Sequence, residues 1–422
     1  MDACRVTVVG IGADGWDGLG LRSQQLVTGA AVLIGAPRQL ALVPEVGVPE
    51  VGVPEVGVPE VGGQRRLEWP RPLKAGLGEM VAGLAGLDVV ALASGDPLVS
   101  GIGTTLVMAL GADRVRIVPA VSSVALARAE LRWPAESCAV VSVVGRPVSL
   151  VARELAPGHR VLVLGSDGST AGLVAGLLCE QGFGASVMHL LGDLGSQSQS
   201  HRVVRADEFT GEGPRLGVIA LDLVGPRRLG WVPGLPDDAF ENDGQLTKRD
   251  LRASALARLA PVPGEHLWDV GAGAGSIGIE WARAHPTCRT TAIEGDVERA
   301  ARIERNAARL GVPGLRVVHG RVPEALDGLD APHAIFIGGG TAIPGLLDQC
   351  LAALQPGGRL VAHAVTLESE QALASAHAEH GGELTRIAVE KSAPVGRFTG
   401  WTPARTVTQW SVELGGEAGS AR

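Results

Sequence analysis

Short apolar runs, each four to seven residues long, recur along the first half of the chain with mixed polar and apolar stretches between them. VTVVG (6–10), AVLIG (31–35), VVALAS (89–94), VRIVPA (115–120), AVVSVVG (139–145), RVLVLG (160–165) and ASVMHLL (185–191) read as strands, and RLGVIALDLV (215–224) closes the series. Strands alternating with helical stretches predict α/β architecture with substantially parallel sheets. The pattern then lapses in GPRRLGWVPGLPDDAFENDG (225–244), which is rich in Pro, Gly and Asp and reads as a linker. It resumes with a helix over 246–260, the strand EHLWDV (265–270), helices near 276–284 and 297–310, and strands near 289–294, 315–318, 333–337 and 359–364. This alternation predicts a second, doubly wound sheet. TVTQWSVEL (406–414) alternates like a final antiparallel strand, and the last eight residues, GGEAGSAR, read as disordered.

Two stretches lie outside this pattern. Residues 45–62 repeat EVGVP, and a proline every fifth residue removes backbone donors, so a surface loop is expected. None of the apolar runs approaches the roughly 18 residues of a membrane span. MDACRVTVVGIG enters a strand almost at once, with no room for a secretory leader, so a cytoplasmic protein that engages no membrane is expected. The chain of 422 residues carries a net charge of −8, which argues against a broad nucleic-acid footprint but leaves room for local arginine clusters that bind a small anion. Cys4, Cys138, Cys179, Cys288 and Cys350 are scattered and never spaced C-x-x-C, as expected of reduced, buried thiols. His377 and His380 stand at helical spacing but fit a solvated face better than a ligand pair, so no metal is expected.

The chemistry concentrates in DVGAGAGSIGIE (269–280), at a strand-to-helix turn where bare backbone N–H groups can approach a polar ligand. Gly273, Gly275 and Gly278 fit G-x-G-x-x-G of dinucleotide folds, while Asp269, Gly271, Gly273 and Gly275 fit D-x-G-x-G-x-G of S-adenosylmethionine (SAM) enzymes. Glu294 ends the next strand, where a carboxylate accepts ribose hydroxyls in either case. Asp269, from which a carboxylate can reach toward the cationic end of SAM, and the late strand 406–414 favour SAM over a nicotinamide cofactor.

The run from Phe240 to Arg283, with AIEGD (292–296), VHGRVPEAL (318–326) and AIFIGGG (334–340), resembles the C-terminal domain of the decarboxylating precorrin-6Y C5,15-methyltransferases. VTVVGIGADG (6–15), ASGDPLVSGIG (93–103), VPAVSSVALARAEL (118–131) and VVSVVGR (140–146) resemble the tetrapyrrole methylase family. GIGADG departs from the commoner GxGPG first loop, and LVSG follows the GDP triplet where an aromatic is frequent.

These resemblances imply a tetrapyrrole methylase domain of two α/β subdomains over 1–224, a linker over 225–244, and a Rossmann-like class I SAM methyltransferase over 245–414, with a tail over 415–422. They imply one SAM site per domain, a precorrin tetrapyrrole substrate and a homo-oligomer. The N-terminal domain would methylate precorrin-6B at C-5, and the C-terminal domain would methylate C-15 and decarboxylate the ring-C acetate, giving precorrin-8 in cobalamin biosynthesis. The family pattern carries SAM contacts in the first domain onto Gly10, Gly12, Gly95 and Asp96 of the Gly95-Asp96-Pro97 turn, Thr104, Thr105, Ser122 and Ser123. In the second it carries them onto Thr247, Asp269, Gly271, Gly273, Gly275, Glu294 and Val322, with Gly338 opening the GGG floor of the cleft. Asp96 alternatively stabilises only its own turn, and Thr247 alternatively caps a helix beginning at Lys248. Arg128, Arg132, Arg146, Arg249, Arg252 and Arg397 are candidates for gripping substrate carboxylates, each competing with a plain surface role.

Overall fold

The computed structural model describes residues 5–45, 64–225 and 229–415, so most of the EVGVP repeat and the end of the tail lie outside the described residues. The chain divides into two compact units, Met1–Val148 with Pro157–Pro226, and Ser149–Ala156 with Arg227–Arg422. The short segment Ser149–Ala156 thus groups with the second unit although it lies inside the stretch read as the first domain. Among the described residues no helix is long and apolar enough to cross a membrane.

The first unit holds two sheets. β1 (Val6–Ile11), β2 (Val32–Gly35), β3 (Arg65–Glu68), β4 (Val89–Ser94) and β5 (Val115–Val118) form one, in the order β3-β2-β4-β1-β5. All its pairings are parallel. Its central strands are mostly apolar because helices cover both faces: α1 (Leu21–Gly29), α2 (Pro37–Ala41), α3 (Leu73–Ala82) and α4 (Ile102–Leu110) supply the connections.

The other sheet contains β6 (Ala139–Ser142), β7 (Arg160–Leu164), β8 (Val187–Gly192), β9 (Ser200–Arg205) and β10 (Gly217–Asp222), in the order β6-β7-β10-β8-β9. Here the expectation of a largely parallel sheet fails. Only β6 and β7 run parallel, and β10 inserts antiparallel between β7 and β8. β9, SHRVVR, escaped the sequence reading because it is a solvated edge strand with no apolar face. Val124 and Ala127 of α5 (Ser123–Leu131) pack on Leu162, Leu164 and Val218 of this sheet, and α6 (Thr170–Glu180) follows β7.

The second unit is built on one seven-stranded sheet. β11 (His266–Val270), β12 (Arg289–Glu294), β13 (Arg316–His319), β14 (Ala334–Ile337), β15 (Arg359–Ala364), β16 (Glu383–Ile387) and β19 (Val407–Glu413) lie in the order β13-β12-β11-β14-β15-β19-β16. β11 to β15 are parallel, and β19 runs antiparallel between β15 and β16. β17 (Glu390–Val395) and β18 (Phe398–Pro403) make a separate exposed hairpin. The helices are α7 (Arg249–Leu259), α8 (Ser276–Ala284), α9 (Val297–Arg309), α10 (Leu346–Ala353) and α11 (Leu367–His380). Trp281 of α8 and Trp410 of β19 are fully enclosed in its core.

The stretch read as a linker is largely part of this unit. Leu235, Ala239 and Phe240 are buried against Ile279, Ala307 and Leu310 of the α8–α9 region. The Glu280 carboxylate accepts the N–H groups of Gly234 (2.6 Å) and Leu235 (3.0 Å), and Asn306 exchanges hydrogen bonds with the backbone of Glu241. Pro and Gly mark irregular backbone here, not mobility, since buried side chains satisfy that backbone. Of the cysteines, Cys288 and Cys350 are buried, Cys138 is half-buried and Cys179 is exposed, which corrects the expectation of uniform burial; Cys4 lies outside the described residues.

Candidate functional site

In the second unit the parallel strands deliver their following loops to one edge of the sheet. β11 ends at Val270 and the chain enters the glycine loop; β12 ends in Glu294, β13 leads to Val322 and β14 to Gly338. β11 and β14 are neighbours, with β12 on the other side of β11, so the edge has its crevice where successive connections diverge.

The loop glycines are sterically required. Gly271, Gly273 and Gly275 have φ of +67°, +60° and +74°, a left-handed region that residues with a Cβ enter only at a cost. A Cβ on Gly271 would stand 3.1 Å from the Gly339 oxygen, and one on Gly273 would stand 3.1 Å from the Gln245 oxygen. A Cβ on Gly340 would stand 3.7 Å from Val322. These approaches bring the glycine loop, the GGG turn, Val322 and the segment carrying Thr247 to one place. Gly338 donates its N–H to the Val270 carbonyl at 2.9 Å, which joins the GGG turn to the start of the loop.

Glu294 is 7% exposed, and its two oxygens accept the N–H groups of Gly273 (2.7 Å) and Asp296 (3.0 Å). The carboxylate is therefore oriented by the backbone while keeping lone pairs for further donors. Asp269 is more deeply enclosed than Glu294. It is 1% exposed, beneath the loop, and Oδ2 accepts the Gly278 N–H at 2.9 Å. Burial pushes its carboxyl up to about 7, aided by the charge of Glu294 and opposed by the Gly278 hydrogen bond. Through Oδ2, Asp269 ties the end of β11 to the first turn of α8.

Thr247 precedes Lys248, the N-cap of α7, and makes no cap bond; its carbonyl accepts from the Arg252 guanidinium. Arg252 is fully buried and corrects another expectation. It donates to Glu280 at 2.6 Å, to Asp237 at 3.1 Å and to the Leu235 carbonyl, and it stacks 4.8 Å from the Phe240 ring. With its donors committed inside the fold it cannot meet a substrate carboxylate. Arg249, Arg146, Arg132 and Arg397 are exposed, Arg397 lying over the Phe398 ring, and Arg128 is half-buried along its own helix.

The first unit holds a cavity of about 360 Å³. Ile11 and Ser94 at the ends of β1 and β4 contribute to its wall, as do Leu164 and Val218 from the other sheet. Gly12, Gly95 and Ser123 line it, whereas Gly10, Asp96, Thr104, Thr105 and Ser122 are not among its lining residues. Gly10 has a packing reason: its Cβ would meet the Gly95 oxygen at 2.1 Å and the Ala120 nitrogen at 2.7 Å. Asp96 accepts the Leu98 N–H at 2.8 Å and so stabilises its own turn, and Ser122 caps α5 through the Ala125 N–H at 3.1 Å. Thr104 and Thr105 lie along α4, Thr104 exposed and Thr105 half-buried. Sequence reasoning missed Arg38, Gln39, Trp69 and Ser94 in the cavity wall. The available signal was position, since Arg38 follows the end of a strand and Ser94 ends another.

Comparison with known proteins finds two family matches along the chain. Residues 5–209 match the family described as tetrapyrrole (corrin/porphyrin) methylases, and residues 238–414 match the precorrin methyltransferase domain family. The chain is 44% identical over 97% of its length to a Sinorhizobium precorrin-6Y C(5,15)-methyltransferase [decarboxylating], covering 96% of that protein. It is 42% identical over 96% of its length to the Mycobacterium tuberculosis protein of the same name, covering 99% of it. A solved C-terminal domain of the Rhodobacter capsulatus precorrin-6Y C5,15-methyltransferase is 46% identical, covers 44% of this chain and all of that one, and superposes with a TM-score of 0.42. Similarity to these relatives over nearly the whole chain, with both domain families in sequence, means that the protein belongs to the decarboxylating precorrin-6Y C5,15-methyltransferase family.

Proposed function

We infer that this chain is a SAM-dependent C-methyltransferase of cobalamin biosynthesis that methylates a precorrin macrocycle at C-5 and C-15 and decarboxylates its ring-C acetate. The C-5 transfer is assigned to the first unit, and the C-15 transfer with decarboxylation to the second, each with its own SAM site. The observation that carries the reading is the convergence of Gly271, Gly273, Glu294 and Gly338 at the carboxyl edge of the second sheet, in a chain that aligns with its relatives from end to end.

The residues fit SAM. Three left-handed glycines let the loop backbone pack closely on the Gly339 and Gln245 segments and leave its N–H groups uncovered by side chains, and the oriented Glu294 carboxylate has lone pairs for ribose hydroxyls. Val322, beside Gly340, suits the flat face of adenine. When bound, SAM supplies a methyl activated by its sulfonium. The protein's part is alignment: holding an electron-rich ring carbon in line with that methyl contributes up to about 7–11 kcal/mol without a nucleophilic side chain. In decarboxylation the electrons of the broken C–C bond delocalise into the conjugated ring as CO2 leaves, and a proton then completes the methyl group that replaces the acetate, so the site has to orient the acetate and admit one proton donor.

The test is the mass of the product formed from precorrin-6B and SAM. Gain of two methyl groups with loss of one carbon dioxide is expected. An unchanged macrocycle, with SAM bound to both units, would remove the substrate assignment.

A further inference from the structure

The cavity of the first unit is walled by apolar side chains together with Gln39, Ser94, Ser100 and Ser123, and among the described residues that line it Arg38 alone carries a charge. Arg38 lies in the short helix α2, just beyond the end of β2, and its Nη2 donates to Ser94 Oγ at 2.9 Å. Gln39 Nε2 donates to the same hydroxyl at 3.0 Å, and Gln39 Oε1 accepts the Ala36 N–H at 2.8 Å. Gln39 is 8% exposed, so a nearly buried amide locks the serine, and the serine aims the guanidinium. One of five guanidinium donors is engaged by that serine, and among the described residues no carboxylate pairs with Arg38. The guanidinium is solvent-accessible and is the one charge among the described lining residues, so an anion in the cavity meets a cation and no competing carboxylate.

We propose that Arg38 is the carboxylate clamp of the first unit, gripping one carboxylate of a bound ligand through two parallel N–H···O bonds, with Ser94 and Gln39 as its positioning residues. This rests on the reading of that unit as the C-5 methylation site. Both ligands of such a site carry the required chemistry: the macrocycle through its acid side chains, SAM through its methionine end. Trp69 in the same wall adds an apolar ring surface.

The experiment compares full-length wild type, R38Q and R38K by SAM titration calorimetry, by KM for precorrin-6B and by product mass. The side chain is exposed, so the melting temperature of each variant should match wild type. If the clamp holds the macrocycle, R38Q raises KM roughly 10- to 100-fold, the scale of a charged hydrogen-bonded pair, and leaves both SAM affinities intact. At limiting substrate its product then lacks one methyl. If the clamp holds methionine, one of the two SAM affinities falls by a similar factor while KM for the macrocycle at saturating SAM stays normal. In either case R38K recovers part of the loss, because it restores charge without the fork. Wild-type KM, SAM affinities and methyl count in R38Q overturn the proposal. Should wild type itself transfer no methyl, the reading of the unit fails, and an unchanged SAM affinity in R38Q then overturns the clamp as well.

Discussion

The backbone N–H of Gly273 donates to Oε2 of Glu294 at 2.7 Å, so the carboxylate expected to hold a ribose also shapes the loop expected to hold the rest of the ligand. Removing it should damage both. E294A is expected to weaken SAM binding at one site roughly 10- to 100-fold, whereas E294Q, which keeps an acceptor for Gly273, should lose less. Calorimetric titration of the two sites checks this; equal losses in the two variants would show that charge, not loop shape, is what matters.

Asp269 gives stability a pH dependence of definite sign. Its folded carboxyl is raised to about 7, above its ordinary value, so the folded state binds more protons than the unfolded state between those two values. Stability from this group is therefore largest at low pH and declines as pH rises from about 4 to about 7, by up to about 1.4 kcal/mol per unit, with no further loss above. D269N keeps an oxygen for the Gly278 N–H and should flatten that slope. Urea midpoints of wild type and variant across this range make the comparison; parallel profiles would count against the assignment.

Arg252 and Glu280 are buried together, and Glu280 also holds Gly234 and Leu235. R252A would leave the buried carboxylate without its counter-charge and is expected to destabilise by about 3–5 kcal/mol. Replacing both with apolar residues should not recover wild-type stability, because two backbone N–H groups lose their acceptor. Chemical denaturation of the single and double variants is the check, and full recovery in the double variant would contradict the role given to Glu280.

Gly10 offers a test confined to the first unit. A Cβ there would collide with backbone atoms of Gly95 and Ala120, which cannot rotate away. G10A should abolish the methylation assigned to that unit while SAM still binds the second. Retention of two methyl groups in the product would refute it.

Much of this protein was legible before folding. The βα alternation, the antiparallel strand at Val407–Glu413 and the left-handed glycines at the strand-to-helix turn are local patterns, written in apolar runs and in residues that alone tolerate a given backbone. β9, β16 and the β17–β18 hairpin were not, since solvated strands carry no apolar face to announce them.

Side-chain roles depended on depth, which periodicity does not encode. Asp269 and Glu294 are both acidic residues at the ends of neighbouring strands, yet one supports the loop from beneath while the other holds its surface. Arg252 read as a candidate surface cation and proved to be a core residue; Arg38, unnoticed, stands in a cavity wall. Sequence alone determined the α/β class, most buried strands and the glycine turns, because propensity and glycine sterics act over a few residues. Which groups meet, which are buried and which cation faces a ligand was decided only by tertiary packing, which joins positions tens of residues apart and sets the solvation of each charge.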